Sequence, residues 1–511
     1  MKRALLLCFL GVLCLLGVTT AAAASELQSV VMEDRRWTDG AATEEAVLLQ
    51  ADLQELEQYL YQELLAGKET IQIKSFELEL DENQKTPELS AVMGRLMSNC
   101  PDLFHVKGWG YRYYPKGGLI TEVVPDYAMT GAELTEAQEY YRGKLDEIMA
   151  QMEEGWSDLE KILFINDYLA AHYQYDLRVY EDSRKANYDA YSFFRDETGV
   201  CQAYYYACRA LLDACGIPST YGESDQANHI WNVVQLNGKW YHLDVTWNDP
   251  TTDLLGRARH DYFLLSTANL LSRDGERSDW ICGEAISCTD STYNSFYWQK
   301  VNAPFVQLNG KWYYSDTKAI CVTEDVREEG AEVIRHGWWH IPGNENSYWT
   351  SSYSGLGTYR GWLIYNTEGN VMGYDPETGK AHTFYTRPNK KKDIFGIVVL
   401  GNRVIIELDT NPRATSDNEE AECSLSYLEE LQSKKYSGVT VSEEEGTVTI
   451  RGTSDGGKTF CVMAAGYTSD GKLCDVKMIW NWELEAATTK WQMEGKTVKL
   501  FIVSQTYAPV C

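Results

Sequence analysis

The tightest constraint on this chain is a two-residue turn, Asn237-Gly238, between two runs that alternate in hydrophobicity. Asn-Gly in this setting is the strongest short-range signal for a β-hairpin, because both residues tolerate a positive φ. The pattern predicts strands over residues 230–236 and 239–247. Since the turn length fixes which residues oppose each other, each side chain of the hairpin has a predicted face.

The predicted pairing places chemically active side chains on one face of this hairpin. His229 opposes Thr246 and Trp231 opposes Asp244, so His229 and Asp244 become diagonal neighbours. A carboxylate beside an imidazole can fix its tautomer and stabilise its protonated form. His242 shares the face of Asp244 and is the alternative histidine. The opposite face is predicted to lie in the core, and it carries Ile230, Val234, Leu236, Tyr241, Leu243, Val245 and Trp247.

A helix is predicted from Cys201 to Ala214, ending at Gly216. Its small residues recur at helical spacing and would allow close packing on the sheet; they are Ala203, Ala207, Ala210 and Ala214. At the start of a helix, unpaired N–H groups and the macrodipole favour a thiolate at Cys201. Together with His229 and Asp244, this predicts a Cys–His–Asp nucleophilic triad. Without the other two residues, Cys201 would be interpreted as a buried structural thiol, as free cysteines usually are.

Three motifs together resemble the transglutaminase-like superfamily, especially its exported bacterial members: Gly-Val-Cys201-Gln202, His229-x-Trp-Asn, and the segment 239–247. The similarity covers roughly residues 100–270. It implies a papain-like α+β core with Cys201 as nucleophile, His229 as base and acid, and Asp244 as the group that orients the histidine. Members often have Gly after Cys-Gln, whereas Ala203 and three tyrosines follow here, which suggests a narrowed acyl-donor groove.

The implied chemistry is attack of the Cys201 thiolate on a carboxamide or peptide carbonyl to give a thioester. An amine then gives an isopeptide crosslink, and water gives deamidation or proteolysis. The backbone N–H of Cys201 is the expected oxyanion donor; Gln202 and Trp231 are candidates for oxyanion or substrate contacts. The alternatives are a cysteine peptidase or cell-wall amide hydrolase on the same triad, and a non-catalytic surface-binding module.

The order of segments predicts an exported, multidomain α+β protein. Lys2 and Arg3 precede an apolar run that ends in Ala22-x-Ala24, which predicts a signal peptide cleaved after Ala24 and a secreted or cell-surface location. Ser157 and Glu160 predict a helix capping box. Residues 306–313 repeat residues 234–241, which indicates a repeated hairpin and not a second site. The predicted regions are 1–24 (signal), 25–150 (mostly helical), 151–295 (catalytic core), 296–410 (β-rich), 411–422 (linker) and 425–511 (Ig-like β-sandwich).

Composition and net charge restrict the classes of partner that this protein can bind. Lysine and arginine number 46 against 75 acidic residues, for a formal charge of −29, so nucleic acid and anionic membrane surfaces are excluded as partners. The partner classes that remain are protein or peptide substrates and cell-wall or surface polymers. No later apolar stretch is long enough to span a bilayer. No cofactor or metal motif is present in the sequence, so none is expected. Thirteen cysteines, two of them in the signal segment, leave an odd number for disulfides.

Overall fold

The computed structural model describes residues 27–32, 51–249, 251, 254–282, 286–337, 339–342, 344–349, 353–412 and 418–428, and a series of strands between 439 and 503. The predicted signal segment, 1–24, lies outside these ranges. Within them, no helix is both long and apolar enough to cross a membrane.

The N-terminal region is a mixed unit in which helices pack on a four-stranded antiparallel sheet. The strands are β1 (Gln28–Met32), β2 (Ile71–Gln72), β3 (Val106–Tyr113) and β4 (Ile120–Tyr127), in the order β1-β3-β4-β2, and the helices are α1 (Ala51–Leu65), α2 (Pro87–Asn99) and α3 (Gly131–Met149). Leu56, Leu60 and Leu64 of α1 bury one stripe against this core because they recur at helical spacing. The sequence predicts one strand pair in this mostly helical region, around Trp109–Tyr114 with a turn at Gly117-Gly118, and β3 and β4 form it; the strands β1 and β2 were not predicted.

The next region contains a three-stranded antiparallel sheet, β7-β8-β9, with a helix packed on it. Its elements are α4 (Asp158–His172), β5 (Gln174–Tyr175), α5 (Ala190–Asp196), β6 (Thr198–Gly199), α6 (Cys201–Ala214), β7 (Ser219–Ser224), β8 (His229–Leu236), β9 (Lys239–Leu243), α7 (Val245–Asn248) and α8 (Thr267–Arg273). The Ser157–Glu160 capping box is present at the start of α4, and the predicted bounds of α6 are confirmed.

The predicted hairpin forms, with one correction at its end. Leu236 pairs with Lys239 and Asn232 pairs with Leu243, in the predicted register. The second strand then stops at Leu243, where the sequence pattern predicted strand up to residue 247. Asp244 instead caps α7, its side chain accepting a hydrogen bond from the Trp247 backbone N–H at 3.1 Å. This turn takes Trp247 out of the core, so its predicted burial was wrong; the side chain is 41% exposed.

The middle region is built from antiparallel sheets whose neighbouring strands follow each other in sequence. The sheets are β10 (Val306–Leu308), β11 (Lys311–Ser315), β12 (Ala319–Thr323) and β13 (Ala331–Arg335); β14 (His340–Ile341) and β15 (Asn344–Tyr348); β16 (Leu356–Tyr359), β17 (Trp362–Asn366), β18 (Asn370–Asp375) and β19 (Lys380–Thr386); and β20 (Asp393–Leu400), β21 (Arg403–Asp409) and β22 (Glu419–Ser424). Since β22 pairs with β21, the predicted linker 411–422 is wrong in its last part: residues 419–422 belong to the sheet.

The C-terminal region contributes two three-stranded antiparallel sheets, β23-β24-β27 and β26-β25-β28. The strands are β23 (Val439–Glu444), β24 (Thr447–Gly452), β25 (Thr459–Tyr467), β26 (Leu473–Glu483), β27 (Thr488–Gln492) and β28 (Thr497–Val503). Whether these two sheets pack face to face as an Ig-like sandwich stays a prediction.

The repeated hairpin, β10–β11, joins the middle region to α4. The Trp312 ring lies 4.9 Å from that of Trp156 and its indole N–H donates to Glu160 Oε1 at 2.8 Å, while Trp156 donates to Gln307 Oε1 at 3.1 Å. The other carboxylate oxygen of Glu160 accepts the Ser157 N–H in the capping box. A single carboxylate thus serves both the start of α4 and the attached hairpin, and the two regions share one hydrophobic core.

We expect Trp312→Ala to destabilise the protein by about 3–5 kcal/mol, because it removes a 1% exposed indole from a shared core and leaves a cavity. Urea unfolding followed by far-UV circular dichroism measures the effect. Leu400→Ala, at a 44% exposed side chain, is the control and should stay within about 0.5 kcal/mol of the wild type. An unchanged unfolding curve for Trp312→Ala would show that the two regions are energetically independent.

Candidate active site

Cys201 is the first residue of α6 and is partly exposed, whereas the six residues after it are buried. The first turn begins with hydrogen bonds from Ala203 and Tyr204 to the Val200 carbonyl, so the N–H groups of Cys201 and Gln202 precede the helical ladder. Gly199 lies two residues before the helix and packs against it so closely that a Cβ atom on Gly199 would lie 2.5 Å from Ala203 Cβ. The local sequence therefore places a sulfur at the positive end of a helix.

The rest of α6 is anchored on both sides. Of the alanine positions predicted to pack on the sheet, three are buried and the last, Ala214, is exposed, so the ridge is shorter than predicted. Tyr205 and Tyr206 are buried, and their hydroxyls donate to the Ser98 and Met97 carbonyls at 2.9 and 2.6 Å. Tyr204 is buried too and bonds to Asp249. The three tyrosines hold the helix in place, and a narrowing of the acyl-donor groove by them stays a prediction.

The structure brings Cys201, His229 and Asp244 together. His229 Nε2 lies 2.7 Å from Asp244 Oδ2. Cys201 is close enough to the imidazole for hydrogen bonding and charge to raise the pKa of His229. Since Nε2 faces the carboxylate, Nδ1 is the nitrogen that is left for the sulfur. The Trp231 ring stacks on His229 at 5.7 Å and 19°, which limits rotation of the imidazole. The arrangement links a thiol, an imidazole and a carboxylate in series.

The electrostatics of this series favour charge separation. Burial alone would lower the pKa of His229, but Asp244 and then Cys201 outweigh it and raise that pKa to about 9. For Asp244, burial acts to raise the pKa, whereas His229 and then Arg277 together bring it down to about 2. The carboxylate is therefore charged over the whole physiological range, and the imidazole is held in its protonated form next to the sulfur.

Arg277 is a site residue that the sequence did not reveal. It ends the 3-10 helix Gly275–Arg277, its side chain is completely buried, and Nη1 lies 2.6 Å from Asp244 Oδ2. Its guanidinium group also lies over three aromatic rings, those of Trp231 at 4.7 Å, Trp247 at 4.8 Å and Tyr262 at 5.2 Å. No periodicity or motif surrounds Arg277, and only the folded chain brings it to the carboxylate.

The other residues that the sequence suggested for the site make structural contacts. Trp231 is 1% exposed and donates its indole N–H to His242 Nδ1 at 2.9 Å, so it is available neither as an oxyanion donor nor for substrate contact. His242 is buried between Trp231 and Thr267 Oγ1, and burial and then Arg277 lower its pKa to about 3. It is therefore a neutral structural histidine. Gln202 is buried in the first turn of α6, and its role as an oxyanion or substrate contact stays a prediction. In the described part of the chain, no three His, Cys, Asp or Glu side chains are grouped to hold a metal ion.

Comparison with known proteins gives two family matches. Residues 146–245 match the transglutaminase-like superfamily, and residues 305–318 match a cell wall binding repeat. The mouse kyphoscoliosis peptidase (Mus musculus) is 24% identical over 149 residues, which cover 25% of this chain and 22% of that protein. The human protein (Homo sapiens) is 24% identical over 126 residues, covering 22% of this chain and 19% of that protein. The chain thus spans about a fifth of these relatives' length.

Two solved structures are similar over part of the chain. One is a TGase, with 14% identity and a TM-score of 0.20, covering 25% of this chain and 41% of that one. The other is a candidate cysteine protease from Cytophaga hutchinsonii, with 16% identity and a TM-score of 0.17, covering 29% of this chain and 55% of that one. The family match spans α4, α6 and the β7-β8-β9 sheet, the elements that surround Cys201. Over residues 146–245, the chain is similar to the transglutaminase-like superfamily, whose members are generally cysteine acyltransferases or proteases.

Proposed function

We propose that this protein is an exported thiol enzyme that forms a thioester between Cys201 and the carbonyl group of a protein or peptide amide. The observation that carries the proposal is the series of contacts from the Cys201 thiol through His229 to Asp244, at the start of a helix. Export rests on the signal-like segment 1–24 of the sequence.

The reaction follows from the positions of these groups. The Cys201 thiolate attacks the amide carbonyl, a C–S bond forms, and the backbone N–H of Cys201 receives the oxyanion. Collapse of this intermediate breaks the C–N bond, and the imidazolium of His229 protonates the departing amine or ammonia. Neutral His229 then takes a proton from water or from an acceptor amine, which attacks the thioester and releases the thiolate. Asp244 stays charged throughout and holds the imidazole in orientation.

Apolar side chains exposed near Cys201 support a peptide substrate. Tyr175 pairs with Gly199, two residues before the cysteine, and the 3-10 helix after it exposes Leu177 and Tyr180. On the histidine side, the exposed Trp247 ring lies 6.1 Å from that of His229. Exposed aromatic side chains on both sides of a nucleophile suit the side chains that flank an amide in a polypeptide.

The similarity to kyphoscoliosis peptidase favours water as the acceptor, which gives hydrolysis of the amide. Transfer to an amine, which gives an isopeptide crosslink, is the competing outcome on the same thioester. The match to a cell wall binding repeat supports a role near surface polymers. Its aromatic side chains Trp312 and Tyr314 are buried in the core, so we do not assign polymer binding to them.

A thiol-directed acyl probe should label Cys201, and His229→Ala should slow the labelling by about 10²–10⁴-fold, because the imidazole that stabilises the thiolate is lost. Mass spectrometry of the cysteine-containing peptides measures the rate. Cys215→Ser, at the residue that directly follows α6, is the matched control, since burial raises the pKa of that thiol and makes it a poor nucleophile. Equal, slow labelling of wild type and His229→Ala would favour a non-catalytic binding module.

The fate of the thioester is tested with a glutamine-containing peptide, with and without a primary amine. We expect release of ammonia or cleavage of the backbone at a rate that the amine does not change, because water is the proposed acceptor. Mass spectrometry separates a gain of one mass unit, a cleaved peptide and an amine adduct. Amine adducts as the main product would instead establish a crosslinking enzyme.

The pH profile of kcat/KM should fall on the alkaline side with a midpoint near 9, where His229 loses the proton that it gives to the leaving amine. Asp244 raises the pKa of His229, so Asp244→Asn should move this limb to lower pH, by about 1–3 units. Asp290→Asn, which removes a carboxylate beside Lys239 at the far end of the hairpin, is the control for a change in overall charge. A limb that stays in place in Asp244→Asn would contradict the proposed role of the carboxylate.

A further inference from the structure

Asp244 carries more contacts than the orientation of one imidazole requires. Its Oδ2 atom lies 2.7 Å from His229 Nε2 and 2.6 Å from Arg277 Nη1, and its Oδ1 atom accepts the Trp247 N–H at 3.1 Å. Both oxygens are thus engaged, and the carboxylate cannot rotate without breaking at least one of these contacts. Arg277 approaches the oxygen that faces the histidine.

Arg277 is itself held from two directions. Its Nε donates to Asp274 Oδ2 at 2.9 Å. The segment is attached to β7 by Ser224, whose hydroxyl donates to the Glu276 carbonyl at 3.1 Å, and Ser224 is the register partner of His229. The guanidinium group and the imidazole are therefore fixed to the same pair of strands.

The guanidinium group of Arg277 lies among three aromatic rings, those of buried Trp231, exposed Trp247 and partly buried Tyr262. A fully buried cation is strongly unfavourable unless it is paired, and here the ion pair and the three ring faces provide the compensation. Two of these rings also contact His229, Trp231 by stacking and Trp247 by its edge. Substrate cannot reach Arg277, so any influence that it has on the reaction passes through Asp244.

We propose that Arg277 is a positioning residue that keeps Asp244 ionised and directed at His229, and so maintains the Cys201 thiolate. This inference rests on the proposed function of the same site. If Asp244 became protonated, the imidazolium would lose its partner and the thiolate would lose the imidazolium. A positive charge on the shared oxygen opposes that protonation, also in the steps of the reaction in which His229 is neutral.

Several titratable groups face this centre and enter its pH dependence together. They are His229 from β8, His242 from β9, Cys201 and Cys208 from α6, Tyr262 from the segment before α8, and Asp274 beside Arg277. Two cations contact Asp244 directly, the imidazolium of His229 and the guanidinium of Arg277, and Arg277 is the one that keeps its charge when His229 is neutral. Its removal should therefore change the acid side of the pH profile first.

The test is the pH dependence of Cys201 alkylation by iodoacetamide, followed by mass spectrometry, which needs no knowledge of the substrate. In Arg277→Met the apolar stem is kept, but Asp244 takes up a proton at higher pH; the acid limb should move up by roughly one pH unit. Arg277→Lys keeps the charge but loses the paired geometry, and should show a smaller shift in the same direction. If Arg277 only fills space, its substitution would lower the melting temperature and leave the midpoint of the acid limb unchanged.

Arg257→Met is the matched control. Arg257 is also buried and lies over an aromatic ring, that of Tyr353 at 5.4 Å, but it faces the middle region. It should lower the melting temperature without moving the acid limb. If Arg277→Met does not fold, Asp274→Asn decides, because it weakens the hydrogen bond that holds Arg277 Nε and leaves Asp244 intact; an upward shift supports the proposal.

Two results would contradict the positioning role of Arg277 and the proposed function of Cys201 independently of each other. An acid limb that is unmoved in Arg277→Met, or in Asp274→Asn when the former does not fold, would show that Arg277 has no positioning role while Cys201 remains an activated thiol. If the wild-type Cys201 reacts like an ordinary thiol and His229→Ala does not change its rate, the proposed function itself fails.

Discussion

The carboxylate of Asp244 is the group on which both the local fold and the site depend. It ends β9, caps α7 through the Trp247 N–H, and faces His229 and Arg277 with its other oxygen. Asparagine also caps helices well, so the capping duty alone does not require a charge. The charge is needed by the imidazole and the guanidinium group, which are both buried and both cationic.

Burial makes the interactions among these charges stronger than those of ion pairs at the surface. Ion pairs at the surface, such as Arg335 with Glu332, keep most of their hydration and contribute about 0–1 kcal/mol. Asp244 and Arg277 have no such hydration, so each stays charged because opposite charges contact it: His229 and Arg277 for Asp244, and Asp244 and Asp274 for Arg277. The aromatic rings around Arg277 exclude water and leave the field of the pair acting on His229. The same surroundings neutralise His242, which has no carboxylate partner within hydrogen-bonding distance and stays uncharged.

The sequence predicted the elements that local patterns specify, and missed those that depend on distant contacts. The Asn237-Gly238 turn and the bounds of α6 follow from turn chemistry and helical periodicity, and both are present. The end of β9 was missed because alternation continues through residue 247, while the capping preference of Asp244 prevails in the folded chain. Arg277 was missed for a different reason: a lone arginine in a polar stretch carries no signal until residues about 15 to 46 positions away surround it.

The repeated hairpin shows which part of the pattern is structural and which is chemical. Residues 306–313 repeat residues 234–241, and Leu308 pairs with Lys311 as Leu236 pairs with Lys239. An aspartate follows the second strand in both hairpins, and Asp316 likewise uses its carboxylate at the strand end, accepting the N–H groups of Lys318 and Ala319. A hairpin followed by a capping aspartate is therefore a folding unit in its own right. The proposed chemistry is confined to the first copy, where the first strand begins with His229 and a helix brings Cys201 to it; the corresponding positions in the second copy are Val301 and Arg273.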